Sequence, residues 1–398
     1  MGIEKTAMRP CPICNETRVE ILHRLHFHLA RNTPLPEAYD LVGCPHCGFV
    51  YADTTGNQAD YDRYYTEFSR YEDAATASGG ADNEADARRL EETARWLEKH
   101  IAPEMRVMDI GCGNGGLLKA LSRRGAPIRA SGIDPAPRCV RRLIDEGFAA
   151  HPGHLAHLPE NCGTHDLIIL SHVLEHVVNL SGALLAVRRL LAPHGKLYVE
   201  TPDASRYHLE NLPPFYFFDP EHINHFDAAS LKCLGAKNAW RTTDCIEKTI
   251  LLPNDRRYPA VGLILEPDDS ASAHELDGTA LKEKIAAYVA LSRQKSRDAE
   301  ASLANAVLNR PVVLWGAGSQ AQRLLESSPL KQARIVAVVD RDSNKQGQFF
   351  AHCMIQPPEK GLRHLPENTL VVIAAATHAE TIRNEVATID ERLPCFIP

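Results

Sequence analysis

The run Val107-Met108-Asp109-Ile110-Gly111-Cys112-Gly113-Asn114-Gly115-Gly116 constrains the chain more than any other stretch. Its apolar start reads as a buried strand, its glycines as a loop, and Leu117 to Arg124 as the helix that follows. Such a loop lets the backbone press against a bulky ligand where any Cβ would collide. A second strand, Ile128 to Ile133, ends at Asp134, twenty-five residues after Asp109. An acid at that place can accept hydrogen bonds from both hydroxyls of a ribose. The pair indicates an α/β unit that holds an adenosine-containing cofactor.

The loop also discriminates among such cofactors. A dinucleotide loop is G-x-G-x-x-G with no charge facing the pyrophosphate. Here it is D-x-G-x-G-x-G, with a carboxylate at its mouth. A cationic ligand suits that anion, and S-adenosylmethionine carries both a sulfonium and an ammonium. The stretch resembles the class I S-adenosylmethionine-dependent methyltransferases. That resemblance implies that Asp109, Gly111, Gly113, Asn114 and Gly115 curl around the amino-acid end and that Asp134 takes the ribose. After a helix (Arg138 to Glu146) and a short strand (Phe148 to His151) comes the loop from Gly153 to Pro159. The family commonly places an acid against the adenine amine where His154 falls; the backbone of Leu155 could serve instead. Strand His165 to Ser171 then leads into His172-Val173-Leu174-Glu175-His176-Val177, which resembles the family's fourth motif. Ser171 and His172 are expected at the cofactor pocket, Glu175 and His176 in structural roles. Gly195 to Pro202 is a fifth strand.

At 398 residues the chain suggests two or three domains. Eleven cysteines, seven of them scattered singly, fit a reducing cytoplasm better than a disulfide framework. The other four form two C-x-x-C knuckles, Cys11/Cys14 and Cys44/Cys47, the ligand pattern of a tetrahedral zinc ribbon. His23, His26 and His28 lie between the knuckles and could compete as ligands. The metal is expected to be structural, supplying folding energy to a segment with little core of its own. A net charge of -7 argues against broad nucleic-acid binding. No apolar run is long enough to cross a bilayer.

These features divide the chain into a zinc-binding module (1–55), a connector (56–102), the cofactor domain (103–265), a helical linker (266–310) and a C-terminal unit (311–398). The connector carries Tyr61, Tyr64, Tyr65, Phe68 and Tyr71, either packing or a lid, then a helix from about Asn83 to His100. A charged helix is expected from about Thr279 to Leu308. In the C-terminal unit, Pro311 to Ala321 repeats the strand-loop-helix logic with a G-x-G-x-x-A loop, and the strand Arg334 to Val339 ends at Asp340. NAD binding is one reading of that unit; a nucleotide portion of the substrate, or no ligand, is the other.

Phe215-Tyr216-Phe217-Phe218-Asp219-Pro220-Glu221-His222-Ile223-Asn224-His225-Phe226 reads as the wall of a substrate pocket. Histidine is the common base near neutral pH, and His222 and His225, three apart, would share a side on a helical turn. The knuckles, the class I core, the E-H-x-x-x-F run at Glu221 to Phe226 and the C-terminal Rossmann-like unit together resemble the sugar C-methyltransferases, those of tetronitrose biosynthesis among them. That resemblance implies a nucleotide-linked keto-sugar that loses a proton beside its carbonyl before methylation. It maps the family's Glu-His pair onto Glu221 and His222, and a connector tyrosine onto Tyr71. Asn224 or a tyrosine hydroxyl would steady the oxyanion, with Glu221 or His225 orienting His222. O- or N-methylation of another small metabolite, an NAD-dependent oxidoreductase and a zinc-ribbon adaptor are the alternatives.

Overall fold

A computed structural model describes residues 3–68, 84–124, 127–159, 162–252, 256–273 and 276–398. Tyr71 lies outside these residues. Four N-terminal strands, β1 (Ile3–Thr6), β2 (Arg18–His26), β3 (Ala38–Gly43) and β4 (Val50–Asp53), form an antiparallel meander. Helix α1 (Gln58–Glu67) follows, with Asn57 as its cap in a reciprocal capping box with Asp60.

The central sheet is built from β5 (Arg106–Ile110), β6 (Arg129–Asp134), β7 (Ala149–Pro152), β8 (His165–Ser171) and β9 (Leu191–Pro202), all parallel. Its helices are α2 (Glu84–Leu97), α3 (Gly116–Arg123), α4 (Pro137–Asp145) and α5 (Leu180–Arg189). A two-residue strand, β10 (Asn224–His225), and helix α6 (Ala228–Lys237) precede β11 (Trp240–Leu251) and β12 (Arg257–Pro267). The spatial order is β11-β12-β9-β8-β5-β6-β7, with β12 antiparallel to β9. Period-two alternation assigns the two faces. Val107, Leu167, Ile169, Tyr198 and Ile264 face α2, α3 and α4. Met108, Ile110, Ile168, Leu170, Leu197 and Val199 face the core shared with α5, α6 and the N-terminal sheet.

Two sequence expectations change here. The N-terminal segment does not rest on a small core of its own: its Phe49, Tyr51 and Leu41 belong to the same apolar cluster as Met108 and Leu170. Its sheet also takes β10 as a fifth strand, antiparallel to β4. Nor is α7 (Ala280–Val307) a simple linker. Its first half buries Leu281, Ile285, Tyr288 and Val289 in the central core, and its end buries Leu303 and Val307 in the C-terminal one. At 28 residues it is a strut of roughly 42 Å between them.

The C-terminal unit contains β13 (Pro311–Trp315), α8 (Ser319–Ser327), β14 (Arg334–Val339), β15 (Phe349–Phe350), β16 (Cys353–Gln356), α9 (Pro358–Gly361), β17 (Leu370–Ile373), α10 (Ala379–Ile389) and β18 (Cys395–Phe396). The order β16-β14-β13-β17-β18 is parallel throughout, the doubly wound arrangement, with β15 antiparallel at its edge. The expected strand and helix boundaries hold within two residues for the cofactor loop, β8, α7 and β13. Among the described residues, no helix is long and apolar enough to cross a membrane.

Candidate active site and its two supports

At the end of β5 the glycine loop turns through left-handed backbone, with φ of 78° at Gly111, 52° at Gly113 and 73° at Gly115. A Cβ on Gly115 would meet Leu143 at 2.3 Å, so only glycine lets α3 pack this close. One on Gly113 meets nothing within 4 Å: that residue faces the approach to the loop. Asp134 braces the loop, accepting from Gly113 N at 2.8 Å and from Ala136 N at 2.8 Å. Asp109 is buried, and its Oδ1 has no hydrogen-bond partner. Burial, then the charge of Asp134, pushes its carboxyl up to about 7. Asn114 is buried in the same loop.

The remaining cofactor residues divide. Leu155 is buried. His154 is not left facing a base: its Nε2 lies 3.1 Å from Thr66 Oγ1 and its Nδ1 3.5 Å from Asp62, both on α1. Helix α1 therefore packs against the loop that follows β7. Ser171 closes β8 opposite Glu200 of β9. His172, with φ of 56°, turns its ring between two carboxylates: Nδ1 is 3.1 Å from Glu175 and Nε2 3.1 Å from Glu200. Burial opposes its charge, but the two carboxylates prevail and raise its pKa. Lys248 of β11 completes the set, 2.6 Å from Glu200, and Tyr198 also donates to Glu200.

Glu221 is buried with both oxygens engaged. Tyr64 donates to one at 2.7 Å and Tyr65 to the other at 3.1 Å. Helix α1 thus lays two hydroxyls against the acid. Asp219 holds the backbone of this turn. Its Oδ1 accepts from Glu221 N and His222 N at 3.1 and 2.9 Å and so shapes the turn that presents both. His176, expected to be structural, packs its ring 4.9 Å from that of His222 and bonds the Glu221 carbonyl through Nδ1 at 3.0 Å.

Three assignments in this segment are corrected. The chain at His225 is extended rather than helical, because it pairs with β4; its ring is fully buried beside Phe218, with no partner on either nitrogen and its pKa lowered to about 3 by burial. It cannot orient His222. Asn224 spends its amide on Leu174 O and Val177 O, at 2.9 and 2.8 Å, and its Oδ1 accepts from Arg9 at 2.7 Å. No donor is left for an oxyanion. The pocket-wall expectation holds only in part: Phe217 and Phe218 are core, with Phe217 stacked on Tyr207 at 3.8 Å, whereas Pro220 and Glu221 line a cleft.

Both flanking units hold this segment. From the C-terminal side, Ser292 and Tyr288 of α7 accept or meet the N–H groups of Phe215 and Phe217 at 3.1 and 3.4 Å, and Arg323 of α8 donates to Phe218 O at 2.8 Å. From the N-terminal side, Tyr39 donates to Asp219 O at 3.1 Å. Buried Arg9 reaches Ile223 O, Val178 O and Asn224 Oδ1 at 3.3, 3.1 and 2.7 Å. Arg9 lies two residues before Cys11. The four knuckle sulfurs lie within 4.8 Å of one another, with Cys11–Cys47 at 3.6 Å and Cys14–Cys44 at 3.4 Å. Sulfurs bound tetrahedrally at 2.3 Å are about 3.8 Å apart, so the set fits one zinc ion. His23 and His28 are not among the donors: His23 stacks on Phe215 and His28 meets Glu326.

A cleft of about 550 Å³ opens at this junction. Its walls include Tyr64 and Glu221, and Gly318, Ser319, Asp342 and Lys345 of the C-terminal unit. Asp340 accepts from Ala317 N and Asp342 N at 2.9 Å each, as Asp134 does from its own loop, and differs in pairing with a lysine, Lys345, at 3.1 Å.

Residues 82–241 match a family described as a methyltransferase domain. The middle of the chain is a class I methyltransferase domain. The residues of its loop fit S-adenosylmethionine, with a buried carboxylate oxygen lacking a partner and a glycine open to approach. Ubiquinone biosynthesis O-methyltransferases are similar to it: that of Azotobacter vinelandii is 28% identical over 150 residues, 34% of this chain and 62% of the relative. That of Pseudomonas aeruginosa strain LESB58 is 30% identical over 112 residues, 27% of this chain and 48% of the relative. The chain thus spans about half to three fifths of the length of these relatives. Among solved structures, the magnesium protoporphyrin IX methyltransferase of Synechocystis PCC 6803 with bound SAH aligns at a TM-score of 0.39 and 14% identity, over 52% of this chain and 99% of that one.

Proposed function

We propose that the chain is an S-adenosylmethionine-dependent C-methyltransferase acting on a keto-sugar carried by a nucleotide, with a structural zinc ion on Cys11, Cys14, Cys44 and Cys47. The cleft carries this reading. It joins the Glu221 end of the methyltransferase domain to the Gly318–Ser319 start of α8, whose backbone N–H groups suit a diphosphate. An acceptor long enough to use both ends has a polar handle and a reacting ring at opposite ends, as a nucleotide-linked sugar does.

When bound, S-adenosylmethionine supplies an electrophilic methyl group; Asp109, Gly113 and Asp134 would hold it. The chain's own residues handle the proton. His222 accepts it from the carbon beside the carbonyl, and the electron pair of that C–H bond is left on the enolate. Asn224 is engaged elsewhere, and Tyr64 and Tyr65 each give their one hydroxyl proton to Glu221, so either serves the enolate oxygen only by exchanging that bond for one to the substrate. The lid they form keeps water from the enolate.

Hydrogen exchange at the substrate carbon in heavy water tests this. Wild type incorporates deuterium into a nucleotide-linked keto-sugar, and His222→Ala does so at least a hundredfold more slowly. Equal rates remove His222 as the base. O-methylation is the second reading, favoured by the names of the relatives; methyl transfer without any carbon exchange would select it.

A further inference from the structure

Two buried atoms near the base have no partner: Oε2 of Glu175 and Nδ1 of His222. One donor atom from each of Glu175, His176 and His222 lies within 4.8 Å of the others. His176 is committed through Nδ1 to the Glu221 carbonyl, so Glu175 is the anion of this group that can serve His222. Glu221, the orienter expected from the sequence, is taken up by Tyr64 and Tyr65.

Glu175 is unusually well fixed for such a task. Its Oε1 meets His172, His172 meets Glu200, and Glu200 meets Lys248, whose Nζ is itself 2.6 Å from Thr93 Oγ1 on α2. The chain alternates anion and cation through the floor of the domain. Burial alone would protonate Glu175; the His172 bond and the neighbouring imidazoles outweigh it and hold the carboxyl below its usual range. A buried carboxylate is thus kept ionised with one oxygen unspent, beside a ring that must become positive when it works.

We propose that Glu175 is a positioning residue for His222: the two are not bonded in this structure, and the free oxygen takes up the Nδ1–H and stabilises the imidazolium when the ring accepts the substrate proton. The proposal rests on the reading of His222 as the base. The titratable groups facing His222 are Glu175 and His176 from the turn after β8, Asp219 and Glu221 from its own loop, and His225 from β10.

The test uses the zinc-loaded full chain with isotope-labelled histidine and no substrate. The His222 resonance is identified by its loss in His222→Gln. In Glu175→Gln its titration midpoint falls by about one pH unit, a tenfold loss of proton affinity; Glu175→Asp restores at least half of that. The two variants also check each other's folding, and Glu175→Asp alone carries the test if the glutamine variant does not fold. An unchanged midpoint overturns the proposal. So does a second tightly bound cobalt ion per chain, beyond the one on the four cysteines, that is lost in Glu175→Gln. In carbon exchange, Glu175→Gln lowers kcat at least tenfold, leaves KM within twofold and moves the acid limb to lower pH. If wild type exchanges no nucleotide-linked keto-sugar while the midpoint still shifts, the substrate reading fails and the pairing stands.

Discussion

Replacing Asp109 by asparagine should stabilise the cofactor-free chain at alkaline pH and disable it as a cofactor site. The carboxyl is buried, sits near the charge of Asp134, and has its pKa pushed up to about 7 from 3.8. Because the folded value is raised, the native state binds this proton more tightly than the unfolded chain. The stability it contributes is complete below about pH 4, declines as pH rises toward 7, and is gone above it. Three pKa units at 1.36 kcal/mol each set an upper bound of about 4 kcal/mol for that decline. Asparagine keeps the shape without the charge, so Asp109→Asn should exceed wild type by about 1.6 kcal/mol at pH 5 and by up to about 4 kcal/mol at pH 8. The measurement is urea unfolding of the zinc-loaded chain without cofactor, following the transition that S-adenosylhomocysteine shifts in wild type. A cationic ligand reverses the balance, since it favours the ionised carboxylate. Wild-type affinity for S-adenosylmethionine should rise toward tenfold per pH unit below 7 with release of a proton, whereas the variant's should be weak and flat. A variant less stable than wild type by the same amount at both pH values would refute the argument, because it would mean that Asp109 is ionised in the resting protein.

Arg9→Met should cost about 3–5 kcal/mol, the range for withdrawing one partner from a buried charged network, and differential scanning calorimetry would read it; a cost under about 1 kcal/mol would mean the guanidinium does not hold the Ile223–Asn224 strand. Tyr64→Phe and Tyr65→Phe each remove a hydrogen bond to Glu221 and should slow carbon exchange about tenfold or more, in line with about 1.5–3 kcal/mol per charged hydrogen bond, with the Kd for S-adenosylmethionine unchanged in calorimetry. Chelation of the metal, or Cys44→Ser, should loosen Arg9 and with it the Glu221 turn; faster amide exchange at residues 219–225 than at β5 would be the signature in hydrogen-exchange mass spectrometry, and uniform exchange would count against the coupling.

The sequence by itself determined the parts whose physics is local. Glycine spacing and the acid at Asp134 set the cofactor loop within about twenty-five residues, because left-handed backbone and close helix packing are demands on neighbouring positions. The two C-x-x-C knuckles fixed the sulfur set for the same reason, and alternation of apolar residues located the strands. Only the tertiary structure decided which polar groups meet. Tyr64 and Glu221 are 157 residues apart, and Arg9 and Asn224 are 215 apart. No periodicity encodes such pairs; they depend on how three sheets and the α7 strut pack. The same packing spent Asn224 on backbone carbonyls and sealed His225 in the core, two residues whose chemistry alone suited them to catalysis. A side chain's type states what it can do, but burial and prior hydrogen bonds decide whether it is free to do it.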